Sequence, residues 1–155
     1  MPNISSGSIR NEYSAVEQNE DINRFVVHSS DIQKSTTSLH YKRLLPRRNK
    51  STGRLETSVC RSKTLTEKEV WAICTNYFDT YSQAPAIGEG IAKASVVYAA
   101  GLNFDPNGKP FSQHADIVGW YDDPRLPDDE AKHFLMDKAQ KMAPHFKYSP
   151  RPPEK

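Results

Sequence analysis

Two histidines and an aspartate are the residues of this 155-residue chain best suited to acid–base chemistry. His28 closes one apolar run and His114 opens another, and Asp116 follows His114 at a spacing that puts both side chains on one face of a strand. A serine nucleophile is activated when an imidazole takes its proton and a carboxylate holds the ring. Ser29 and Ser30 follow His28 directly. The pattern predicts a polar pocket if the two strands pair, and hydrogen-bonded histidines at strand ends if they do not.

Phosphate binding is a second chemistry that the same residues allow. Arg24 and Arg61, grouped with His28, would form the cationic cluster that holds a nucleotide phosphate. This makes a small enzyme acting on a nucleotide or phosphate ester one hypothesis, with His28, Arg61 and His114 in one pocket. Its candidate catalytic residues are His28, Arg61, His114 and Asp116. The segment Gly88-Glu89-Gly90 lacks the third glycine and the lysine of phosphate-cradling loops, so we interpret it as a turn.

A basic segment dominates the charge distribution. Eight lysines and arginines lie between His40 and Lys63 with only one acid, Glu56, in a chain whose net charge is +2. Such a density neutralises phosphates and releases counterions, and Tyr41 beside it offers a ring for base stacking. The candidate binding residues are Lys42, Arg43, Arg47, Arg48, Lys50 and Arg54. The segment predicts binding to nucleic acid or to an acidic protein; the alternative is a solvated loop whose cations pair with acidic surface elsewhere.

Metal and cofactor chemistry are not predicted. The five histidines are spread along the chain without ligand spacing on any one element, and Cys60 and Cys74 are isolated. The sequence contains no secretory signal and no apolar run of membrane-spanning length, so we expect no membrane association. Two cysteines in such a chain are expected to be reduced and buried, which favours a cytoplasmic location.

The residue pattern predicts three strands and at least two helices to position these groups. Thr66 and Glu69 form a capping box, and apolar residues then recur at spacings of three and four to about Ser82. Asp128 is the expected cap of a last helix that Pro144 ends. The ambiguous segment 91–100 is assigned to helix because of its alanines. The predicted strands span 22–28, 55–61 and 114–120.

These elements predict an α+β fold: a small antiparallel or mixed sheet of about three to five strands, with two or three helices packed on one face. The ends of the chain are too polar to bury much apolar surface. The predicted organisation is therefore a disordered leader over 1–21, a single α+β domain over 22–143, and a flexible proline-rich tail over 144–155.

Three segments carry a resemblance: 24–30, the strand 56–61 leading into the helix with Trp71, and His114-Ala115-Asp116-Ile117-Val118-Gly119-Trp120. They resemble a group of short uncharacterised bacterial proteins with a C-terminal His-Ala-x-Ile-x-Gly-Trp segment. That group has no established activity, so the resemblance implies no catalytic residues. It implies a bacterial, cytoplasmic protein that occurs as a stand-alone domain.

The leading functional hypothesis is a small accessory or binding protein, rather than an enzyme, that uses the basic loop 42–54. The small enzyme described above is the alternative. A third hypothesis is a structural subunit of a larger assembly, which a large apolar patch around Trp71 or Trp120 would favour.

Overall fold

A single antiparallel sheet organises the chain. The computed structural model describes residues 14–120 and 125–153, and within them the sheet has nine strands in the order β2-β3-β9-β6-β1-β5-β8-β7, with β4 paired to β5. The strands are β1 (Asp21–Val26), β2 (Ile32–Gln33), β3 (Ser38–Leu39), β4 (Arg47–Arg48), β5 (Leu55–Arg61), β6 (Gly88–Lys93), β7 (Asn103–Asp105), β8 (His114–Val118) and β9 (Lys147–Pro150).

Three helices accompany the sheet in the described part of the chain. They are α1 (Glu67–Ile73), α2 (Ser95–Ala99) and α3 (Asp128–Met142). A π-helical segment, Cys74–Phe78, and a last turn, Asp79–Tyr81, continue α1. No helix in 14–120 or 125–153 combines the length and the apolar character that crossing a membrane requires.

The predicted sheet of three to five strands is wrong, because nine strands pair and only two helices, α1 and α3, have seven residues or more. The helices also do not share one face of the sheet, as described below. The reason is length: β2, β3 and β4 have two residues each. A two-residue strand cannot show the alternation by which a strand is recognised in a sequence.

Alternating residues of β1 divide the core between the two faces. Ile22 and Val26 belong to the larger apolar cluster, which includes Met142 of α3. Phe25 belongs to a smaller cluster with Trp71 of α1. Successive strand residues point to opposite faces, so α1 covers one face of the sheet and α3 packs on the other.

The predicted start of α1 is seen in atomic detail. The Thr66 Oγ1 accepts a hydrogen bond from the Glu69 backbone N–H at 3.2 Å, and the Glu69 carboxylate accepts one from the Thr66 N–H at 2.9 Å. The capping box therefore fixes where the helix begins.

The segment 91–100 is divided between β6 and α2, so the prediction of one helix is wrong. The glycines of β6 have a packing role instead of forming a turn. A Cβ at Gly90 would overlap the Leu39 side chain, and one at Gly88 would overlap the Tyr148 ring. Only glycine lets these side chains of β3 and β9 lie so close to β6.

The C-terminal segment is part of the domain. Residues 147–150, predicted as flexible tail, form β9 between β3 and β6, and Phe146 is fully buried. At the other end, Val16 packs into the core, although it lies in the predicted leader. The prediction for residues 1–13 lies outside the described residues. The folded unit is therefore wider at both ends than the predicted 22–143.

Candidate functional site

The sheet opens where β1 and β5 diverge. These strands pair only at Ile22–Arg61 and Asn23–Cys60, although β1 stays paired with β6 to its end. Two arginines bridge the gap through backbone carbonyls. Arg24 donates from Nε to the Arg43 carbonyl at 2.9 Å and from Nη1 to the Ser58 carbonyl at 2.8 Å. The Arg43 Nε donates to the Phe25 carbonyl at 2.6 Å.

A third arginine, Arg47, completes a group that we call the cleft arginines: Arg24, Arg43 and Arg47. Within the described residues, no carboxylate oxygen lies within 4.0 Å of their guanidinium nitrogens. Burial lowers the pKa of Arg24 well below its usual value, and repulsion by Arg43 and Arg47 adds to this shift. Burial also lowers the pKa of Arg43, against the attraction of Asp31. The cleft arginines therefore concentrate positive charge without an ion-pair partner.

The cleft arginines lie at one end of a cleft of about 730 Å³ between the sheet and the C-terminal end of α1. Its walls are aromatic. The Tyr77 and Phe111 rings lie 5.3 Å apart, and the Arg43 guanidinium carbon lies 5.8 Å from the centre of the Phe78 ring. Tyr81 lies at the rim with 82% of its surface exposed. The cleft thus offers cations and planar apolar faces to one ligand.

The π-helical segment Cys74–Phe78 explains how α1 supplies this wall. One π turn carries an extra residue, which changes the direction of the side chains that follow, and such segments are frequent at functional sites. The consecutive residues Tyr77 and Phe78 both line the cleft. Cys74 is fully buried, which anchors the segment against the sheet.

The floor of the cleft carries a polar network. The Ser58 hydroxyl donates to Asp116 Oδ1 at 3.1 Å, and the Asn107 amide donates to Asp116 Oδ2 at 2.7 Å. The Asn107 Oδ1 lies 2.7 Å from His114 Nδ1. Burial lowers the pKa of His114 below its usual value, although the nearby Asp116 opposes this shift. The imidazole is therefore in its neutral, basic form at neutral pH.

Of the predicted catalytic residues, His28 and His114 both line the cleft, whereas Arg61 and Asp116 do not; Asp116 accepts hydrogen bonds from Ser58 and Asn107. Register puts His114 level with Asn23, because both are opposite Cys60, while His28 lies beyond the end of β1. The histidines therefore share the cleft but are separated along the strand direction. Ser29 and Ser30 are exposed and do not line it.

Arg61 lies on the other face of the sheet. It donates to Glu20 from Nε at 2.9 Å and from Nη2 at 2.7 Å, and both side chains are buried. The predicted pocket of His28, Arg61 and His114 is therefore not assembled in the fold. The alternation of β5 is the reason, since Arg61 pairs with Ile22 and points with it toward the larger core.

The basic loop 42–54 is divided among several environments. Lys42, Arg43 and Arg47 line the cleft. Arg54 instead faces acids, at 2.8 Å from Glu56 and 2.9 Å from Asp105. This residue is neutralised by its own neighbours.

The remaining two cations of the loop lie outside the cleft. The Arg48 Nη1 donates to the Gly53 carbonyl at 2.6 Å and thus closes the hairpin between β4 and β5. Lys50 is exposed on the loop between these strands. Three of the six predicted polyanion-binding residues, Lys42, Arg43 and Arg47, thus line the cleft.

Sequence reasoning missed the residues that come from loops and from the helix wall. Tyr77 and Phe78 belong to the apolar stripe of the helix predicted to run to about Ser82, and Asn107 was not among the candidate residues. Ser58 was detectable in principle, because it alternates with Glu56 and Cys60 on the face opposite the apolar residues of β5. The feature of the sequence that points to Ser58 is the polar face of a strand whose other face is apolar.

The other features of the described residues carry less chemistry. A second cavity of about 560 Å³ includes Lys141, but this cation lies 3.2 Å from Asp137. No group of three or more histidine, cysteine, aspartate or glutamate side chains in 14–120 and 125–153 is placed to hold a metal ion. Trp71 and Trp120 are both buried, so neither provides the exposed apolar patch considered above for a structural subunit.

Comparison with known proteins adds no assignment to this geometry. No protein-family model, no curated protein and no solved structure matches the chain. The resemblance to short bacterial proteins therefore stays a prediction. Any function must be argued from the contacts and charges of the cleft itself.

Proposed function

We propose that the cleft binds nucleotide units of a single-stranded nucleic acid. The cleft arginines would hold phosphates and the aromatic wall would stack on bases. The observation that carries this proposal is the group of three arginines that have no carboxylate within 4.0 Å in 14–120 and 125–153 and that lie beside aromatic rings in one cleft.

The arginines keep hydrogen-bond donors for a phosphate. A guanidinium has five N–H groups in a planar fork that fits phosphate oxygens. Arg24 uses Nε and Nη1 on carbonyls and Arg43 uses only Nε, so each retains further N–H groups. Burial, and after it repulsion by Arg43 and Arg47, lower the pKa of Arg24, so a bound anion would relieve an existing electrostatic cost.

The aromatic residues favour a nucleic acid over an acidic protein. Stacking of a base on an aromatic ring contributes about 1–3 kcal/mol and tolerates any base, whereas aspartate and glutamate have no ring to stack. Tyr81 is exposed beyond the cleft arginines, and Lys42, Arg47 and Lys50 continue the positive charge onto the surface. Several cations and several rings line the cleft, enough to contact more than one nucleotide, which supports a strand as the ligand.

We also propose a cytoplasmic location. Cys60 and Cys74 are free and buried, and burial raises the pKa of each thiol to about 12. Buried, protonated thiols are suited to a reducing compartment and take no part in the proposed binding.

Fluorescence anisotropy with labelled single-stranded RNA, single-stranded DNA, duplex DNA and a nucleoside monophosphate tests the proposal across a salt series. Single strands should bind tightest. Three phosphate contacts would give a log–log salt slope of roughly −2, because each contact contributes about −0.7 for a single strand. Tighter binding of the monophosphate than of either strand would indicate a free nucleotide as the ligand.

Neighbouring arginines of β4 provide a matched pair of variants. Arg47 lines the cleft and Arg48 does not. Arg47→Gln should weaken strand binding about tenfold and make the salt slope shallower by about 0.7, while Arg48→Gln changes the affinity less than about twofold. Equal losses in the two variants would mean that general surface charge, and not the cleft, binds the strand.

A further inference from the structure

Asn107 fixes the protonation pattern of His114. Its side-chain amide donates to Asp116 Oδ2 at 2.7 Å, and its Oδ1 accepts from the Lys109 backbone N–H at 3.2 Å. These two contacts orient the amide with its oxygen toward the imidazole. The His114 Nδ1, 2.7 Å from that oxygen, must therefore be the donor and carry the hydrogen.

The second ring nitrogen of His114 consequently keeps its lone pair. Nε2 lies 3.7 Å from Asp116 Oδ1, too far for a hydrogen bond, and has no other hydrogen-bond partner among the described residues. In that part of the chain, no fully buried side-chain nitrogen or oxygen lacks a partner. Nε2 is therefore open to the cleft, whose lining includes His114.

His114 and the cleft arginines line the same cleft. Ser58 and His114 line the same floor, and Ser58 lies two residues before Cys60, the partner of His114. The Arg24 guanidinium is bonded to the Ser58 carbonyl at 2.8 Å. Arg24 on β1 and His114 on β8 flank β5 and line the same cleft, so a phosphate bound by Arg24 lies in the cleft that the imidazole also lines. His28 lies farther along the cleft and is not needed.

We infer that the cleft cleaves single-stranded RNA, with His114 as the general base that activates the 2′-hydroxyl. This inference rests on the proposed function, since the arginines must first hold the RNA phosphate. The ribose supplies a nucleophile next to the phosphorus atom, and intramolecular attack of this kind gains a large entropic advantage. General-base catalysis contributes a further 10²–10⁴-fold.

The step conserves atoms and charge. His114 Nε2 takes the proton of the 2′-hydroxyl while the 2′-oxygen forms a bond to the adjacent phosphorus. The bond from phosphorus to the 5′-oxygen of the next nucleotide breaks, and its electron pair stays on that oxygen, which takes a proton from water. The imidazolium returns its proton to solvent. The products are a 2′,3′-cyclic phosphate and a 5′-hydroxyl, and the arginines stabilise the charge that develops on phosphorus.

The assay compares three oligonucleotides of one sequence, in which the sugar is ribose, 2′-deoxyribose or 2′-O-methylribose. We expect cleavage of the ribose strand alone, with a cyclic phosphate product in the mass spectrum. His114→Gln should reduce the rate at least about a hundredfold and bind the 2′-O-methyl strand as tightly as the wild type. His133→Gln, which alters an exposed histidine of α3 outside the cleft, is the matched control and should keep the full rate.

The pH dependence provides an independent readout. The neutral imidazole is the active form, so the rate should rise with pH and level off, with a midpoint below the usual 6.5 of a histidine. The charged groups that face this ring are Asp116, Glu56, Asp105 and Arg24. Asn107→Ala keeps the ring but removes the group that fixes its tautomer. It should lower the rate and shift the midpoint, which keeps the test decisive if His114→Gln fails to fold.

Each outcome is informative. Binding of the 2′-O-methyl strand without cleavage of the ribose strand overturns the inference and leaves the proposed function standing. An unchanged rate in His114→Gln, or equal cleavage of the deoxyribose strand, also overturns it. Failure of all three strands to bind overturns both.

Discussion

The arginines of this fold differ in their partners. Arg61 lies 2.7 Å from the Glu20 carboxylate among buried groups, and Arg151 lies 2.9 Å from Asp79. Arg24 and Arg43, in the cleft, are bonded to backbone carbonyls, and Arg43 also contacts the Phe78 ring. The first group is paired with carboxylates. The second has, within the described residues, only the more distant attraction of Asp31, with Asp116 also acting on Arg24.

The two groups of arginines differ in how the free-energy cost of burying their charge is offset. A buried cation with a carboxylate partner has its desolvation offset by that partner. The cleft arginines have no such partner within the described residues, and the mutual repulsion of Arg24 with Arg43 and Arg47 adds to the desolvation cost. The hydrogen bonds of Arg24 and Arg43 to backbone carbonyls join the separated strands, but they do not neutralise the charge. An anionic ligand would add neutralising charge, which is why we propose that the cleft binds phosphate.

The largest expected effect is on the buried pair. Arg61→Met leaves Glu20 buried without a cation, and breaking such a pair costs about 3–5 kcal/mol. We expect the free energy of unfolding to fall by this amount in a urea titration. The double variant Glu20→Gln with Arg61→Met should recover part of the loss, because no charge remains buried. A loss below about 1 kcal/mol would show that the Arg61–Glu20 pair contributes little to stability, and would contradict the contrast with the cleft arginines.

An intermediate effect is expected for Arg54, whose side chain is 39% exposed and which faces Glu56 and Asp105. Half-exposed pairs contribute about 0.2–1 kcal/mol each. Arg54→Met should therefore lower the unfolding free energy by about 1 kcal/mol at low ionic strength. In 1 M salt the loss should shrink, because the Debye length falls to about 3 Å. A loss that salt does not change would point to packing rather than charge.

The smallest effect on stability is expected in the cleft. Arg47→Met removes an exposed cation that has no carboxylate partner in the described residues and that repels Arg24. The unfolding free energy should change by less than about 0.5 kcal/mol, toward greater stability if it changes at all. Urea titration alongside Arg61→Met makes the comparison direct. A loss above 1 kcal/mol would show that Arg47 has a structural role and would contradict the contrast between the cleft arginines and the arginines that are paired with carboxylates.

The elements that the sequence predicted are those with long local patterns. β5 has the predicted bounds, and α1 starts at the predicted capping box. The missed strands are β2, β3, β4, β6, β7 and β9. All but β6 have only two to four residues, and β6 and β9 form because segments from distant parts of the chain pair with them. Local pattern cannot show such pairing, because the stabilising contacts are non-local.

The site was predictable only by residue type. His28, His114 and the cations at 42, 43 and 47 were candidates and do line the cleft. Arg61 was also a candidate, but its side chain points to the other face of the sheet. Successive strand residues alternate between the two faces, so Arg61 points away from the face that carries Cys60. Asn107, which sets the tautomer of His114, comes from a turn whose position beside β8 no local pattern encodes.

The sequence by itself determined which residues can bind phosphate or move a proton, and which segments alternate as strands or repeat as a helix. These properties depend on side-chain chemistry and on neighbours within a few residues. Only the tertiary structure decided that β1 and β5 separate, that Arg24 and Arg43 occupy the gap, and that Arg54 and Arg61 are neutralised elsewhere. Whether a cation is paired depends on which carboxylates folding brings within about 4 Å, and among the described residues they come from as far away as 72 residues.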